Sequence, residues 1–169
     1  MSYPQSLNHK VVELTPLALH KLSKNTPKVI LKSILHALLN QLFKQQIKSG
    51  DLDFIKNKWV RISVTDMDFS VDISMAKNTT KPQLTVDFQP KKPDLIFSSH
   101  SDYLLLLALN KIDPDTLFFQ RKLRIQGDTD LGLYIKNLLA SLDLMQQLPL
   151  QLSKWINRLA DNVYEKNTT

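Results

Sequence analysis

Four histidines, His9, His20, His36 and His100, are the first side chains to weigh for chemistry. No two stand at i, i+4, and none lies near a carboxylate set with metal-ligand spacing, so neither a metal centre nor a catalytic imidazole is expected. Acids recur as Asp-x-Asp pairs at Asp51/Asp53, Asp66/Asp68, Asp113/Asp115 and Asp128/Asp130. Such pairs could ligate a cation or form an acid–base dyad. Most of them fall at element boundaries, where aspartate caps helices and turns chains, and none has the glycine and terminal glutamate of a calcium loop. Asp68 and Asp72 are expected on the wet face of a strand. The absence of cysteine excludes disulfides, thiolate nucleophiles, Cys-ligated zinc and iron–sulfur clusters. Three glycines, Gly50, Gly127 and Gly132, cannot assemble a dinucleotide fingerprint or a P-loop, and no Gly-x-Ser-x-Gly elbow is present. The expectation is a protein with no enzymatic activity, cofactor or metal.

The chain has 169 residues, 43% of them hydrophobic and 22% charged, which fits one globular core. Its longest apolar run, 103–109, is far short of the roughly 20 residues that cross a bilayer. The first twenty residues lack the basic start and unbroken apolar stretch of a signal peptide, so a cytoplasmic location is expected, at most peripheral at the inner membrane.

The net charge of +6 is unevenly placed. The first 50 residues hold seven lysines and one acid, Glu13, whereas residues 51–169 hold 15 bases and 15 acids. A basic, apolar N-terminal third suits an anionic surface, either nucleic acid or acidic lipid, and composition alone does not separate the two. All seven bases are lysine, and only Tyr3 and Phe43 are there to stack on bases, which favours lipid. A soluble helix with a lysine-rich wet face satisfies the same pattern.

Thr15 before Pro16 opens a short helix reaching about Ser23, and Asn25-Thr26-Pro27 breaks it. From Lys28 to about Lys48, Leu31, Ile34, Leu35, Leu38, Leu39, Leu42 and Phe43 recur at three- and four-residue steps, predicting one long helix stopped by Gly50. The period then changes to two. Val60, Ile62 and Val64, then Met67, Phe69, Val71, Ile73 and Met75, then Leu84, Val86 and Phe88 alternate with polar residues. Short connectors between these runs predict an antiparallel meander. Strands at 94–98 and 122–126 bring the count to five. Ser99 with Asp102 resembles a capping box for a helix from Tyr103 to about Lys111, and Asp113-Pro114-Asp115-Thr116 reads as a turn. Asp128 caps a helix to about Met145, and an amphipathic helix follows Pro149. The fold class is α+β, with an antiparallel sheet of about five strands covered on one face by helices.

The stretch Asp113-Pro114-Asp115-Thr116-Leu117-Phe118-Phe119-Gln120-Arg121-Lys122-Leu123-Arg124-Ile125-Gln126-Gly127-Asp128-Thr129-Asp130-Leu131-Gly132-Leu133 resembles the signature of the sterol carrier protein type 2 lipid-binding family. With the long helix and meander before it, the similarity spans about 28–146. Within that family it is similar to a bacterial branch of accessory factors for ubiquinone biosynthesis. The expected division is a basic amphipathic segment at 1–27, which the eukaryotic carriers of the family lack, the lipid-binding domain that the resemblance implies at 28–146, and an amphipathic helix and tail at 147–169. It implies a non-enzymatic carrier of prenylated quinone precursors in oxygen-independent synthesis, partnered by the hydroxylation proteins UbiU and UbiV. The end at Asn167-Thr168-Thr169 differs from a peroxisomal tripeptide, so peroxisomal sterol transport is not expected.

For such a carrier, Leu104, Leu107, Ala108, Leu117, Phe118, Phe119, Leu131, Ile135, Leu138 and Leu142 are the expected lining of an apolar cavity, although any of them could equally be solid core. Phe118 and Phe119, taken as extended chain, would point opposite ways, so only one would face a given cavity. Lys10, Lys21, Lys24, Lys28 and Lys32 are expected to dock on an acidic membrane surface, each contributing about 1 kcal/mol. The alternatives are a general phospholipid or membrane-surface adaptor and a nucleic-acid binder using the same lysines.

Overall fold

The computed structural model describes residues 27–75, 81–88 and 92–142, and eight positions within 153–163. The expected helix at 15–23 lies outside the described residues. Helix α1 (Lys28–Leu42) and helix α2 (Lys44–Ser49) replace the single long helix, because Phe43 leaves helical geometry (φ −100°, ψ 17°). Gly50 ends α2 in the left-handed conformation, as a C-terminal glycine should. A 3₁₀ turn (Asp53–Ile55) leads into strand β1 (Val60–Val64). Then come β2 (Phe69–Met75), β3 (Leu84–Asp87), β4 (Leu95–Ser99), α3 (Ser101–Ala108), α4 (Pro114–Phe119), β5 (Leu123–Gly127) and α5 (Thr129–Ser141).

The five strands order as β3-β2-β1-β4-β5. Three neighbouring pairs are antiparallel and one is not, for β4 lies parallel to β1, with Val60 opposite Leu95 and Val64 opposite Ser99. The meander therefore stops after β3. Residues 88–94 separate β3 from β4, and an extended chain of that length spans up to about 24 Å. That is enough to cross two strands at about 4.8 Å spacing and return along one. The carbonyl of Trp59 then accepts the N–H groups of Asp94 (2.8 Å) and Leu95 (3.3 Å), which fixes where β4 starts.

Alternation puts Val60, Ile62, Ile73, Met75, Leu84, Leu95, Phe97, Leu123 and Ile125 on one face. There they pack against Leu107 of α3, Leu117 of α4, and Leu131 and Ile135 of α5. A second cluster joins Leu106 and Leu109 to Ala160 and Val163, so helical residues within 153–163 pack on α3. The opposite face carries Arg61, Ser63, Ser70 and Asp72. Asp72 is not a wet-face residue. It is 2% exposed, and the Arg61 guanidinium, its cross-strand neighbour, donates to both carboxylate oxygens at 2.7 and 2.8 Å. Asp68 lies in the β1–β2 turn with positive φ, outside either strand.

Candidate functional site

Two caps correct the expected local structure around the aromatic pair. Ser99 belongs to β4 and its hydroxyl donates to the Lys122 carbonyl (2.7 Å), so it caps nothing. Asp66 serves α3 instead, its carboxylate accepting the Ser101 N–H (2.8 Å) and O–H (2.5 Å) from across the sheet end. Asp113, expected in a turn, is the N-cap of α4. It accepts the Thr116 N–H at 2.8 Å, with Pro114 at the first helical position. Phe118 and Phe119 are therefore helical rather than extended, about 100° apart around the axis. Both can face one depression, and their rings meet edge to face with centroids 5.9 Å apart.

That depression is a groove of about 450 Å³ between α4, the end of β5 and the first turns of α5. Phe118, Phe119, Ile125, Gly132 and Leu133 line it, and Asp115, Gly127, Asp128, Thr129, Asp130 and Lys136 surround them. Its size falls in the range of about 300–1,000 Å³ usual for small-ligand sites. Gly132 brings α5 down onto the sheet, since a Cβ there would meet Ile125 Cγ2 at 3.1 Å. Two of the three rim carboxylates are ion-paired: Asp115 accepts from Lys136 at 2.7 Å and Asp128 accepts from Lys58 at 2.6 Å. The arrangement can shield an apolar group. Among the described residues no three His, Cys, Asp or Glu side chains converge to hold a metal.

Asp128 anchors α5. Its carboxyl is held below the usual carboxylate range by the Leu131 N–H and then by Lys58, whose ammonium is raised by the same hydrogen bond. Asp113 is lowered by the Thr116 N–H and hydroxyl. At Asp66, partial burial works to raise the carboxyl, and the two hydrogen bonds from Ser101 outweigh it. Depressed folded-state values stabilise the fold above the unfolded carboxylate pKa of about 4 and lose that contribution as pH falls through the lower native values. The melting temperature should therefore drop below about pH 4. Asp113→Asn and Asp128→Asn keep a capping oxygen but do not titrate, so thermal melts of the double variant should show a shallower acid limb.

Of the expected cavity residues, only Phe118 and Phe119 line this groove. Leu107, Leu117, Leu131 and Ile135 sit in the central cluster with Leu138 packed against it, Leu142 is buried, and Leu104 and Ala108 are half-buried on α3. Sequence reasoning missed Ile125, Gly132, Leu133 and Lys136. A signal was available: Thr129, Leu133 and Lys136 stand at i, i+4 and i+7 on α5, one stripe that keeps a leucine among polar residues. Among the lysines, Lys10, Lys21 and Lys24 lie outside the described residues. Lys28 and Lys32 are exposed on α1 beside exposed Val29, Ile30 and Ile34, with Lys32 3.7 Å from Asp87. No helix of the described residues is long and apolar enough to cross a membrane.

Comparison with known proteins gives three findings. The SCP-2 sterol transfer family matches residues 36–140. The ubiquinone biosynthesis accessory factor UbiT of Escherichia coli (strain K12) is 38% identical over 157 residues, 93% of this chain and 87% of that protein. Among solved structures, the ubiquinone synthesis protein UbiJ-SCP2 shares the fold with a TM-score of 0.52. It is 17% identical, with 66% of this chain and 95% of that one covered.

Proposed function

The chain belongs to the SCP-2 sterol transfer family, and from that membership we propose that it is a non-catalytic carrier of polyprenyl quinone precursors in ubiquinone biosynthesis. The observation that carries the proposal is the apolar groove at Phe118, Phe119 and Leu133, on a chain 38% identical to a ubiquinone biosynthesis accessory factor. A polyprenyl tail of tens of carbons costs about 0.8 kcal/mol for each CH₂ left in water. A hydroxylating enzyme outside the bilayer needs that tail shielded while the quinone ring reacts. In this reading the ligand enters at the groove. Its tail continues among the apolar side chains of α3, α4 and α5, including Leu104, Leu107, Ala108, Leu117, Leu131, Ile135 and Leu138, and against Leu142 just past the end of α5. The proteins it serves are the hydroxylation partners UbiU and UbiV, and the oxygen-independent branch of the pathway is its setting.

Mass spectrometry of organic extracts from the natively purified protein tests the proposal, with an unrelated protein of similar charge handled identically. Prenylated quinone precursors in near-stoichiometric amount are expected. Phospholipid alone would turn the reading toward a general phospholipid adaptor, and an empty extract would overturn the carrier.

A further inference from the structure

The seven residues Phe118-Phe119-Gln120-Arg121-Lys122-Leu123-Arg124 carry α4 into β5 at the open edge of the sheet. Phe119 is 80% exposed and Phe118 45%, while Leu123 alone of the seven is buried. The turn closes on two backbone hydrogen bonds, Arg121 N–H to Phe118 O (3.0 Å) and Lys122 N–H to Leu117 O (2.9 Å). This is a Schellman cap, and it sets Arg121 at φ 59°. Glycine is the residue that adopts this conformation without cost, and an L side chain there costs roughly 1 kcal/mol. An arginine held in a glycine position calls for a use of its charge.

On the other side of β5 from the apolar groove lies a second depression of about 490 Å³, lined by Arg121, Lys122, Arg124, His100, Ser98, Thr65 and others. Asp102 is its one carboxylate, and no acid interrupts residues 116–127. Among the described residues Arg121, Lys122 and Arg124 form no ion pair, and the Lys122 ammonium stands 5.0 Å over the Tyr103 ring. The tip of α4 thus sets two exposed aromatics beside three unneutralised cations. Aromatic rings favour the depth of the bilayer interface, and cations favour the phosphates above it.

We propose that this tip docks on an anionic bilayer, with Phe118 and Phe119 entering the interface and a lipid phosphate held in the cleft of Arg121, Lys122 and Arg124. The inference deepens the carrier reading and rests on it, because Phe118 and Phe119 also wall the lipid groove, so that docking opens the groove directly onto the membrane.

Sedimentation of the full chain with phosphatidylcholine vesicles, with and without phosphatidylglycerol, tests the docking. Wild-type protein should partition onto the anionic vesicles only, and added salt should release it. Each tip cation removed should weaken partition about five-fold, so that Arg121→Gly with Lys122→Gln and Arg124→Gln loses roughly 100-fold. Phe119→Ala should lose about ten-fold. Arg121→Gly alone is the sharpest arm, since it should weaken binding while the melting temperature holds or rises, a combination that a structural role for Arg121 does not produce. Absence of vesicle binding, equal binding to neutral vesicles, or loss only in Lys28→Gln/Lys32→Gln would overturn the proposal, the last by placing the docking face on α1. Extracts of the same preparations separate the two readings. Lipid recovered from protein that ignores vesicles sinks the docking alone, whereas empty protein that still docks through the tip sinks the carrier.

Discussion

Gly127→Ala should lower the thermal midpoint by about 10 °C, corresponding to about 3 kcal/mol or more in a chain of this size. Gly127 holds φ 118°, a backbone region that L side chains rarely enter. An added Cβ would also stand 2.2 Å from the carbonyl oxygen of Asp94 and 3.0 Å from the Leu95 Cα. Both obstacles are backbone, so no rotamer change relieves them. Nor is Asp94 free to retreat. Its N–H donates to Trp59 O, its carboxylate accepts the Trp59 N–H at 2.7 Å, and the very carbonyl the Cβ would strike accepts the Asp128 N–H at 2.8 Å. Yielding there disturbs the start of β4 and the cap of α5 together, and with them the groove wall. Gly132→Ala is the control. Its Cβ would meet the side chains of Ile125 and Leu95 at 3.1 and 3.5 Å, and both can turn aside. The gain of about 1 kcal/mol from replacing glycine inside a helix offsets much of the crowding, so the melt should move by a few degrees at most. Equal losses in the two variants would refute this account of the Gly-Asp motif.

Local rules carried the reading of this chain where the deciding interaction was local. Period-two alternation located four of the five strands within one or two residues, and the short apolar run at 94–98 marked the other to within one. Asp128 capped its helix as expected, through a hydrogen bond to Leu131 three residues on. The readings that changed were decided by residues far away in sequence. Ser99 and Asp102 have capping-box spacing, but Asp66, 35 residues before Ser101, supplies the acceptor. Asp72 alternates as a surface residue should, yet Arg61 on the neighbouring strand takes it out of water. The parallel β1–β4 pair depends on where the chain re-enters the sheet after β3, which no short window records. The aromatic pair was misplaced for a smaller reason. Asp-Pro-Asp-Thr reads as a turn, although aspartate before proline is equally a helix start, and that difference alone decides whether two adjacent rings point apart or share a groove.

A double variant, Phe118→Glu with Leu133→Glu, should reduce the lipid recovered from purified protein by about 100-fold, the effect of roughly 3 kcal/mol on binding. Both side chains line the groove, and both are about half exposed. A carboxylate is hydrated at either position while the groove is empty. Against a prenyl tail it is stripped of water with no cation to receive it, since Lys136 already serves Asp115 and Lys58 serves Asp128. The nearby acids Asp115, Asp128 and Asp130 add repulsion of their own. Stability should change little, because the variant gives up one edge-to-face ring contact and no residue of the central cluster, about 1 kcal/mol and a shift of a few degrees. Gly127→Ala should lower thermal stability and lipid content together, whereas the double variant should lose lipid alone. Extract mass spectrometry with parallel thermal melts reads both. Full lipid content in the double variant would show that the tail bypasses this groove, and would move the binding site to the inner apolar set of α3 and α5, where Leu138→Glu becomes the next substitution to make.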